Sequence, residues 1–303
     1  MTHRLLYRAL FFAIVATPLL WSCGDEDDEL LTPQHGTQVD VTDPTNTNAN
    51  PTSSDPVAAR LEIPKLKGGV ANMFLVKRIS NGDINYCIEW DITKKAQRWS
   101  AFRWDNDNSG GYVKREDNFL EDTDIPAAYR TTSASYSGTG YTRGHICASA
   151  DRWYNLEANR QTFLYSNMQP QLYDFNGGIW ATLENKVRTW NKSTFRDTLY
   201  VCKGGTIDHS SDIIQTTHTG LIVPRYFFMA ILCKRTGLGN GGYKGIAFWM
   251  EHRDDYTSDF LQPYAISIDR LEELTDIDFF CNLPDAIENA VEANLDLSLW
   301  GLQ

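Results

Sequence analysis

The stretch Tyr141-Thr-Arg-Gly-His-Ile-Cys-Ala-Ser-Ala-Asp-Arg152 decides how this chain is interpreted. It is followed by Ser166-Asn-Met-Gln-Pro-Gln171 and by Asn176-Gly-Gly-Ile-Trp180, and Glu184 comes eight residues after Asn176. An Arg-Gly-His triplet alone is weak support for a site, because three common residues recur by chance. Here one imidazole, several amides, a carboxylate and several arginines occur together. We therefore expect the catalytic chemistry of the protein to lie in these segments.

These residue types suit the hydrolysis of a phosphodiester bond. A neutral imidazole can take a proton from water near neutral pH, which makes His145 the candidate general base. A divalent ion can neutralise the charge that develops on the leaving oxygen. Mg²⁺ prefers oxygen ligands and keeps several waters, so an Asn carbonyl with a nearby carboxylate can hold it, or Mn²⁺ in its place. Arginines such as Arg143 can bind phosphate oxygens with two parallel N–H groups.

Each candidate also has a structural interpretation. Asn176 can be a simple helix cap, because an Asn side chain commonly accepts hydrogen bonds at a helix N-terminus. Glu184 and Arg188 are four residues apart and can be an ordinary surface pair on one helix. Asn167, before Pro-Gln, can be a hydrogen-bonded turn residue. Arg115 can lie outside the site altogether.

The first 22 residues are expected to be a lipoprotein signal peptide. Arg4 and Arg8 precede an apolar run at 9–20 that is too short to span a bilayer comfortably. The run ends in Leu20-Trp-Ser-Cys23, which resembles the bacterial lipobox and predicts a lipid on Cys23. An ordinary cleaved signal is the alternative, although no Ala-x-Ala site is present.

Residues 23–62 are expected to be a disordered acidic and polar tether. Gly24-Asp-Glu-Asp-Asp-Glu29 leads into a stretch rich in Thr, Pro, Asn and Asp that runs to about Arg60. It holds too few apolar residues to offset the chain entropy lost on folding. An acidic run after a lipidated Cys resembles the surface-export signal of some Gram-negative lipoproteins, with a solvated spacer as the alternative. We accordingly expect an exported protein, anchored to a bacterial outer membrane and facing the periplasm or the surface.

The remaining segment, 63–303, is expected to form one domain, because it is long enough for a hydrophobic core and shows no repeat or second linker. The whole chain carries 28 Lys+Arg and 39 Asp+Glu, a net charge of −11. Proteins that read DNA grooves tightly are usually basic. The charge balance therefore disfavours such a reader, but it permits an enzyme that needs only a local cluster of arginines and a metal.

The domain alternates β-rich and helical segments, which predicts an α+β fold. Aromatic or β-branched runs bounded by Gly, Pro or Asp predict strands at 86–90, 99–104, 199–203, 226–233, 245–250 and 264–268. The clearest helix is predicted at about 176–190, where Trp180, Leu183, Val187 and Trp190 recur at steps of three and four. Shorter helices are expected at 155–163, from Arg270, and at 285–293.

The cysteines and the other histidines give weaker signals. Besides Cys23 the chain has Cys87, Cys147, Cys202, Cys233 and Cys281, an odd number that leaves at least one free thiol, and no spacing resembles a zinc site. Cys202 and Cys233 lie in predicted strands, either as packed thiols or as one cross-strand disulfide. His252, in Glu-His-Arg-Asp-Asp, is expected in a solvated loop.

From about residue 85 to 283, the order of motifs resembles the DNA/RNA non-specific endonuclease family, the ββα-metal nucleases that include endonuclease G. The resemblance rests on Trp90, Arg115-Glu-Asp-Asn-Phe119, Arg143-Gly-His145, Phe163, Ser166-Asn-x-x-Pro-Gln171, Asn176, Trp180, Leu183-Glu184 and Val223-Pro224. It implies a mixed, mainly antiparallel sheet with helices on its faces and a ββα-metal finger.

The resemblance also assigns roles. It makes His145 the general base and Asn176, rather than Asn167, the single direct magnesium ligand. It makes Glu184 the residue that orients metal-bound water. Arg188 and Arg143 would stabilise the transition state, and Arg115 and Asn167 would bind the substrate.

One departure from the family pattern concerns the residue three before the base. The family usually has Asp-Arg-Gly-His, and here Thr142 replaces the Asp. The loss of a carboxylate beside His145 can change its orientation or its pKa, while the Thr hydroxyl can still form a hydrogen bond. We expect an altered rate rather than inactivity.

The sequence thus predicts an exported, lipid-anchored, magnesium-dependent endonuclease that cleaves DNA and RNA. The resemblance implies products with 5′-phosphates, and contacts mainly to phosphates would explain indifference to sequence. Two alternatives stay open. One is a surface lipoprotein that binds glycans or nucleic acid without cleaving, and the other is a catalytically inactive nuclease fold that acts as an interaction module.

Overall fold

The computed structural model of the protein describes residues 43–53 and 55–302. The strands are β1 (Asn72–Arg78), β2 (Ile84–Asp91), β3 (Ala96–Trp104), β4 (Thr142–His145), β5 (Met168–Gln171), β6 (Thr198–Gly205), β7 (Ile213–Thr216), β8 (Ile222–Pro224), β9 (Tyr226–Lys234), β10 (Tyr243–Glu251) and β11 (Ala265–Ile266). The α-helices are α1 (Ser133–Tyr136), α2 (Leu156–Gln161), α3 (Tyr173–Gly177), α4 (Ile179–Trp190), α5 (Ile268–Thr275) and α6 (Asp285–Glu292). Short 3₁₀ turns connect several of these elements.

The core of the domain is a seven-stranded sheet in the order β1-β2-β3-β6-β9-β10-β11. Every neighbouring pair in it is antiparallel. Two further pairs, β4 with β5 and β7 with β8, are also antiparallel. The predicted α+β fold with a mainly antiparallel sheet is confirmed.

Side chains of the central strands alternate between two hydrophobic cores, one on each face of the sheet. On β9, Phe227, Met229 and Ile231 join the core that also contains the apolar side of α4. Phe228 and Ala230 join the opposite core, which is covered by α5 and α6. Because both faces are covered, the central strands are nearly continuous apolar runs rather than alternating ones.

Helix α4 buries the stripe that the sequence predicted. Trp180, Leu183, Val187 and Trp190 are all buried against the sheet. The helix begins later than predicted, because the backbone leaves the helical conformation at Gly178, between α3 and α4. An added Cβ at this position would lie 2.3 Å from the carbonyl oxygen of Asp174.

Asn176 therefore lies inside α3 and does not cap α4, whose N-cap position is Gly178. The predicted strand at 264–268 is also shorter than expected. Only Ala265 and Ile266 form a strand, because the Ser267 side chain accepts a hydrogen bond from the Arg270 N–H and starts α5 at Ile268.

The predicted tether is corrected at its C-terminal end, since residues 43–53 and 55–62 are part of the compact domain. The side chains of Asn46 and Asn50 donate to backbone carbonyl groups of Cys281 and Pro64 at 2.9 Å each. Val57 is buried in the core beneath α5 and α6. Asparagine amides here replace the apolar contacts whose scarcity suggested disorder. The predicted signal peptide, the lipid site at Cys23 and the acidic run lie outside the described residues.

None of the helices within residues 43–53 and 55–302 is long and apolar enough to cross a membrane. The five cysteines of this part of the chain are free and buried. The alternative of a disulfide between Cys202 and Cys233 is wrong, because Cys202 faces Ala230 across the β6–β9 pair, Cys233 faces Leu199, and the two thiols belong to cores on opposite faces of the sheet.

Candidate active site

The hairpin formed by β4 and β5, followed by α3 and α4, is a ββα unit that carries the central motif. In the hairpin, Gly144 pairs with Gln169 and His145 with Met168. The buried side chain of Gln171 lies over Gly144, where an added Cβ would come within 2.2 Å of it. The Gly of the Arg-Gly-His triplet is thus required for this close approach.

Asn167 holds the backbone behind the hairpin and is completely buried. Its Oδ1 accepts hydrogen bonds from the Cys147 N–H at 2.9 Å and from the Ser100 hydroxyl at 3.1 Å. Its Nδ2 donates to the carbonyl groups of Cys147 and Thr162 at 2.8 Å each. Both ends of the amide are occupied by protein groups, which corrects the prediction that Asn167 binds substrate.

His145 packs edge-on against Phe163 at a ring-centroid distance of 4.9 Å and against Phe119 at 5.8 Å. Its Nε2 is buried and has no hydrogen-bond partner among the described residues. The ring is half-buried, and its partial removal from water, with the positive charges of Arg115 and Lys203, lowers the pKa of His145 to about 3. The imidazole is therefore neutral over the physiological pH range, as a general base requires.

Two exposed arginines flank the imidazole on the same pair of aromatic rings. The Arg143 guanidinium lies 3.9 Å from the centroid of Phe119, and that of Arg115 lies 5.0 Å from the centroid of Phe163. Arg115 also pairs with Asp117 at 2.6 Å. Stacking on the rings holds the guanidinium groups beside His145 while leaving N–H groups for an anion.

Thr142 connects the hairpin to α3. Its hydroxyl donates to the Gln171 carbonyl at 2.9 Å and accepts from the Nδ2 of Asn176 at 3.2 Å. The amide of Asn176 is thus oriented by the residue that replaces the family Asp. Asn176 and His145 are brought onto one ββα unit, as the resemblance implied.

Glu184 and Arg188 belong to a buried network of charges between α4 and β6. The Lys203 ammonium donates to Glu184 Oε1 at 2.9 Å and to Asp151 Oδ2 at 3.1 Å. Arg188 Nη1 donates to Asp151 Oδ1 at 2.7 Å and lies 3.9 Å from Glu184 Oε2. The Glu184–Arg188 contact confirms the predicted pairing, but it is one part of a four-membered network rather than an exposed surface pair.

Burial and the neighbouring cations shift the pKa values of the two carboxyl groups of this network in opposite directions. Burial favours protonation of both, but the charges of Lys203 and Arg188 outweigh it at Asp151 and lower the pKa of that carboxyl. At Glu184 burial dominates and raises the pKa. Asp151 thus anchors both cations, while Glu184 is the more easily protonated group.

Sequence reasoning missed Asp151 and Lys203. Asp151 lies inside the Tyr141–Arg152 segment, and Lys203 is the charged residue at the end of an otherwise apolar predicted strand. A buried strand does not accommodate an ammonium without a partner. That exception could have indicated a buried ion pair, although the sequence does not identify the partners.

The expectation for His252 was wrong, because the ring is buried. Its Nε2 accepts from the Leu172 N–H at 2.7 Å and its Nδ1 lies 2.8 Å from the Pro224 carbonyl oxygen. It packs against Phe175 and Phe227, and burial lowers its pKa to about 4. His252 is a structural residue that connects the start of α3 to the end of β8.

Comparison with known proteins agrees with this geometry. A model of the DNA/RNA non-specific endonuclease family matches residues 78–286. The chain belongs to the DNA/RNA non-specific endonuclease family. It is therefore a hydrolase that acts on phosphodiester bonds, and the resemblance read from the sequence is confirmed.

Individual members of the family share this domain. The chain is 31% identical over 217 residues to a nuclease of Nostoc sp., which covers 70% of this chain and 76% of that protein. It is 28% identical over 208 residues to nuclease C1 of Cunninghamella echinulata, covering 66% and 81%. EndoG in the crystal structure of the EndoG/EndoGI complex has the same fold, with a TM-score of 0.57 at 20% identity over 72% of this chain and 90% of that one.

Proposed function

We propose that the protein hydrolyses DNA and RNA with a divalent metal, Mg²⁺ or Mn²⁺ in its place, and with His145 as the general base. The observation that carries the proposal is the position of the His145 imidazole between Arg143 and Arg115. All three side chains pack against the rings of Phe119 and Phe163. Since Nε2 is buried, Nδ1 is the nitrogen that would take the proton from water. The resulting imidazolium would lie where phosphate charge can stabilise it.

The residues around Asn176 fit a hard divalent ion. Because Nδ2 donates to Thr142, the amide oxygen of Asn176 is the atom available as a ligand. Glu184, held by Lys203, would accept hydrogen bonds from water on the ion. When bound, the ion supplies charge stabilisation at the leaving 3′-oxygen. A donor set of amide oxygen and water is one that magnesium accepts readily.

The three arginines would bind the phosphates of the substrate and stabilise the transition state. Arg143 is exposed and can form two hydrogen bonds to the phosphate in the transition state. Arg188 is tied to Asp151, so it would contribute through a guanidinium that is already oriented. Arg115 would bind a neighbouring phosphate. Contacts confined to phosphates carry no sequence information, which fits cleavage of either nucleic acid without base preference. The 5′-phosphate products are proposed by analogy with the family.

One incubation series tests the proposal against its non-catalytic alternatives. Purified protein is mixed with supercoiled plasmid and with total RNA, with EDTA, with Mg²⁺, and with Mn²⁺. Degradation of both substrates only when metal is present supports the proposal. A binding protein, whether for glycans or for nucleic acid, would retain the substrate and cleave nothing. End-labelling of the products then distinguishes 5′-phosphates from 3′-phosphates.

We further propose that Cys23 carries lipid and that the mature protein is exported and anchored to a bacterial membrane. The support is Leu20-Trp-Ser-Cys23 after a short apolar run. Two acyl chains anchor a protein stably, since each buried CH₂ contributes ~0.8 kcal/mol. Cys23→Ala should release the protein from the membrane fraction or block its processing. Unchanged membrane association of that variant would refute the lipid assignment.

A further inference from the structure

The face of the sheet opposite α4 holds a second group of polar residues. There α5 and α6 pack against each other and against β10. Leu271 of α5 and Val291 of α6 are buried in the core on that face. Ile146, the residue after His145, and the apolar side of α4 belong to the core on the other side. Any site between α5 and α6 is therefore separated from the nuclease site by the sheet.

Three carboxylates converge between these two helices. Asp269 and Glu272 come from α5 and Glu292 comes from α6, and one oxygen from each lies within 4.8 Å of the other two. Positions 269 and 272 are three residues apart, so their side chains project from the same face of α5. This is the one group of three or more Asp, Glu, His or Cys side chains close enough to share an ion within residues 43–53 and 55–302.

Glu292 provides the independent sign of a missing ligand. Its side chain is 4% exposed, and its Oε1 has no hydrogen-bond partner in the described part of the chain. A buried carboxylate without a partner is costly, so such groups are usually paired or bound to a metal. Arg270, the nearest arginine along α5, pairs with Glu273 instead.

Further acidic groups increase the negative charge at this position. Glu288 lies one turn before Glu292, and it accepts a hydrogen bond from the Asn48 amide at 2.7 Å. Asp278 accepts from the same amide at 3.2 Å. The nearby ammonium of Lys65 is used by the backbone carbonyl groups of residues 48 and 49. Burial, followed by repulsion from the other carboxylates, raises the pKa of Glu292 to about 11.

We propose that Asp269, Glu272 and Glu292 bind a divalent cation, with Ca²⁺ preferred over Mg²⁺. All three donors are carboxylate oxygens, which hard cations prefer. Ca²⁺ accepts six to eight oxygens in flexible geometry at about 2.3–2.6 Å, so two of its ligands can be nearly 5 Å apart. Mg²⁺ requires a near-ideal octahedron at about 2.0–2.1 Å. The exposed side of Asp269 leaves room for water to complete the coordination.

The ion would connect α5 to α6 and thereby stabilise the fold rather than take part in cleavage. Glu272 Oε1 accepts a hydrogen bond from the Phe279 N–H at 2.6 Å, so the same carboxylate also fixes the loop between the helices. A ligand that binds only the folded state raises its stability with concentration. Calcium should therefore act on unfolding and leave magnesium-dependent turnover unchanged.

Thermal unfolding of the EDTA-treated full chain tests the proposal, with Ca²⁺ titrated in the presence of excess Mg²⁺ to occupy the nuclease site. The wild type should gain at least ~2 °C, since about 1 kcal/mol moves the Tm of a domain this size by ~2–4 °C. Glu292→Gln should lose the gain. Glu273→Gln, a matched change on the exposed side of α5, should keep it. Isothermal titration should give one calcium per chain.

Two further variants keep the outcome decisive. Asp269→Asn removes a ligand at the exposed rim, so it should abolish the calcium effect even if Glu292→Gln folds poorly. Asn176→Ala, in the nuclease site, should retain the effect, which separates this proposal from the proposed function. The proposal is overturned if the wild type does not respond to calcium, or if both ligand variants respond as the wild type does. If Glu292→Gln has a higher Tm than the wild type without metal, and the wild type does not respond to calcium, the carboxylates share protons and do not bind an ion.

Discussion

Lys203 on β6 donates a hydrogen bond to Glu184 on α4 at 2.9 Å, and the same ammonium lies 3.1 Å from Asp151. Both Lys203 and Asp151 are almost completely inaccessible to solvent. The contact ties the helix that carries Glu184 and Arg188 to the central sheet. The position of these two candidate catalytic side chains therefore depends on a residue outside the sequence motifs.

Replacement of Lys203 by Met should destabilise the fold by about 3–5 kcal/mol, because Glu184 loses its hydrogen-bonded cation and Asp151 keeps only Arg188. Turnover should also fall, since Glu184 loses the group that orients it. Urea unfolding with a parallel nuclease assay measures both effects. Lys234→Met, on the neighbouring strand but exposed, is the control and should cost less than ~0.5 kcal/mol. Equal stability of the two variants would contradict the role given to Lys203.

Thr142→Val should weaken activation by metal while preserving the fold. Valine has nearly the same shape but no hydroxyl, so Asn176 loses its hydrogen-bond acceptor. A hydrogen bond contributes ~0.5–1.5 kcal/mol, so the Mg²⁺ concentration for half-maximal activity should rise by up to about tenfold. Thr142→Ser should restore the wild-type value. If Val and Ser variants require the same magnesium concentration, Thr142 does not orient the ligand.

Asn167→Ala should lower the stability of the fold, whereas Asn176→Ala should raise the magnesium requirement of the enzyme. Asn167 makes four buried hydrogen bonds, and each group left unpaired costs ~1–3 kcal/mol, so its loss should lower the free energy of unfolding by at least ~4 kcal/mol. Asn176 makes one side-chain bond at a partly exposed position, so its loss should spare stability and raise the magnesium requirement by an order of magnitude or more. Urea unfolding and magnesium titrations of both variants measure this, and the reverse pattern would exchange their roles.

The pH dependence should reflect a histidine whose pKa is well below the ordinary value. Burial lowers the pKa of His145 to about 3, so the active, neutral form persists well below the ~6.5 that the sequence alone suggests. Between pH 3 and ~6.5, His145 is protonated in the unfolded chain but stays neutral in the folded protein. Its contribution to stability is thus complete above pH ~6.5 and is lost as the pH falls towards 3.

Histidine proton resonances followed between pH 3 and 8 test this shift, because the His145 signal should show no midpoint near 6.5 in that range, with His145→Asn used to assign the signal. The kcat/KM profile over the same range gives the kinetic counterpart. A His145 midpoint near 6.5 in the folded protein would show that its ring is not shielded as the structure indicates.

The sequence predicted the elements whose signal is local. The stripe of Trp180, Leu183 and Val187 repeats with the helical period, so α4 could be located without knowledge of the rest of the fold. The apolar runs of β6, β9 and β10 located the central strands for the same reason. The predicted start of α4 and the predicted end of the last strand were wrong, because each is set by a single residue, Gly178 and Ser267.

The sequence could not predict contacts that depend on tertiary structure. Asp151 and Lys203 are 52 residues apart, and nothing in their local patterns indicates that they meet. The polar stretch around Asn50 looked unable to fold because composition does not show side chains bonding to a distant backbone. The role of Asn167 was misjudged for the same reason, since burial separates a structural amide from one that reaches substrate.

The central claim is that His145 removes the proton from the attacking water. His145→Ala should reduce cleavage of plasmid and RNA by ~10²- to 10⁴-fold, the usual contribution of a general base. The apolar stripe of α4 does not include His145, so the variant should stay folded and keep phosphate-dependent binding of substrate, although it loses the ring contacts with Phe119 and Phe163. Turnover and unfolding of the two proteins should be measured side by side. A folded His145→Ala variant with near-normal nuclease activity would contradict the account.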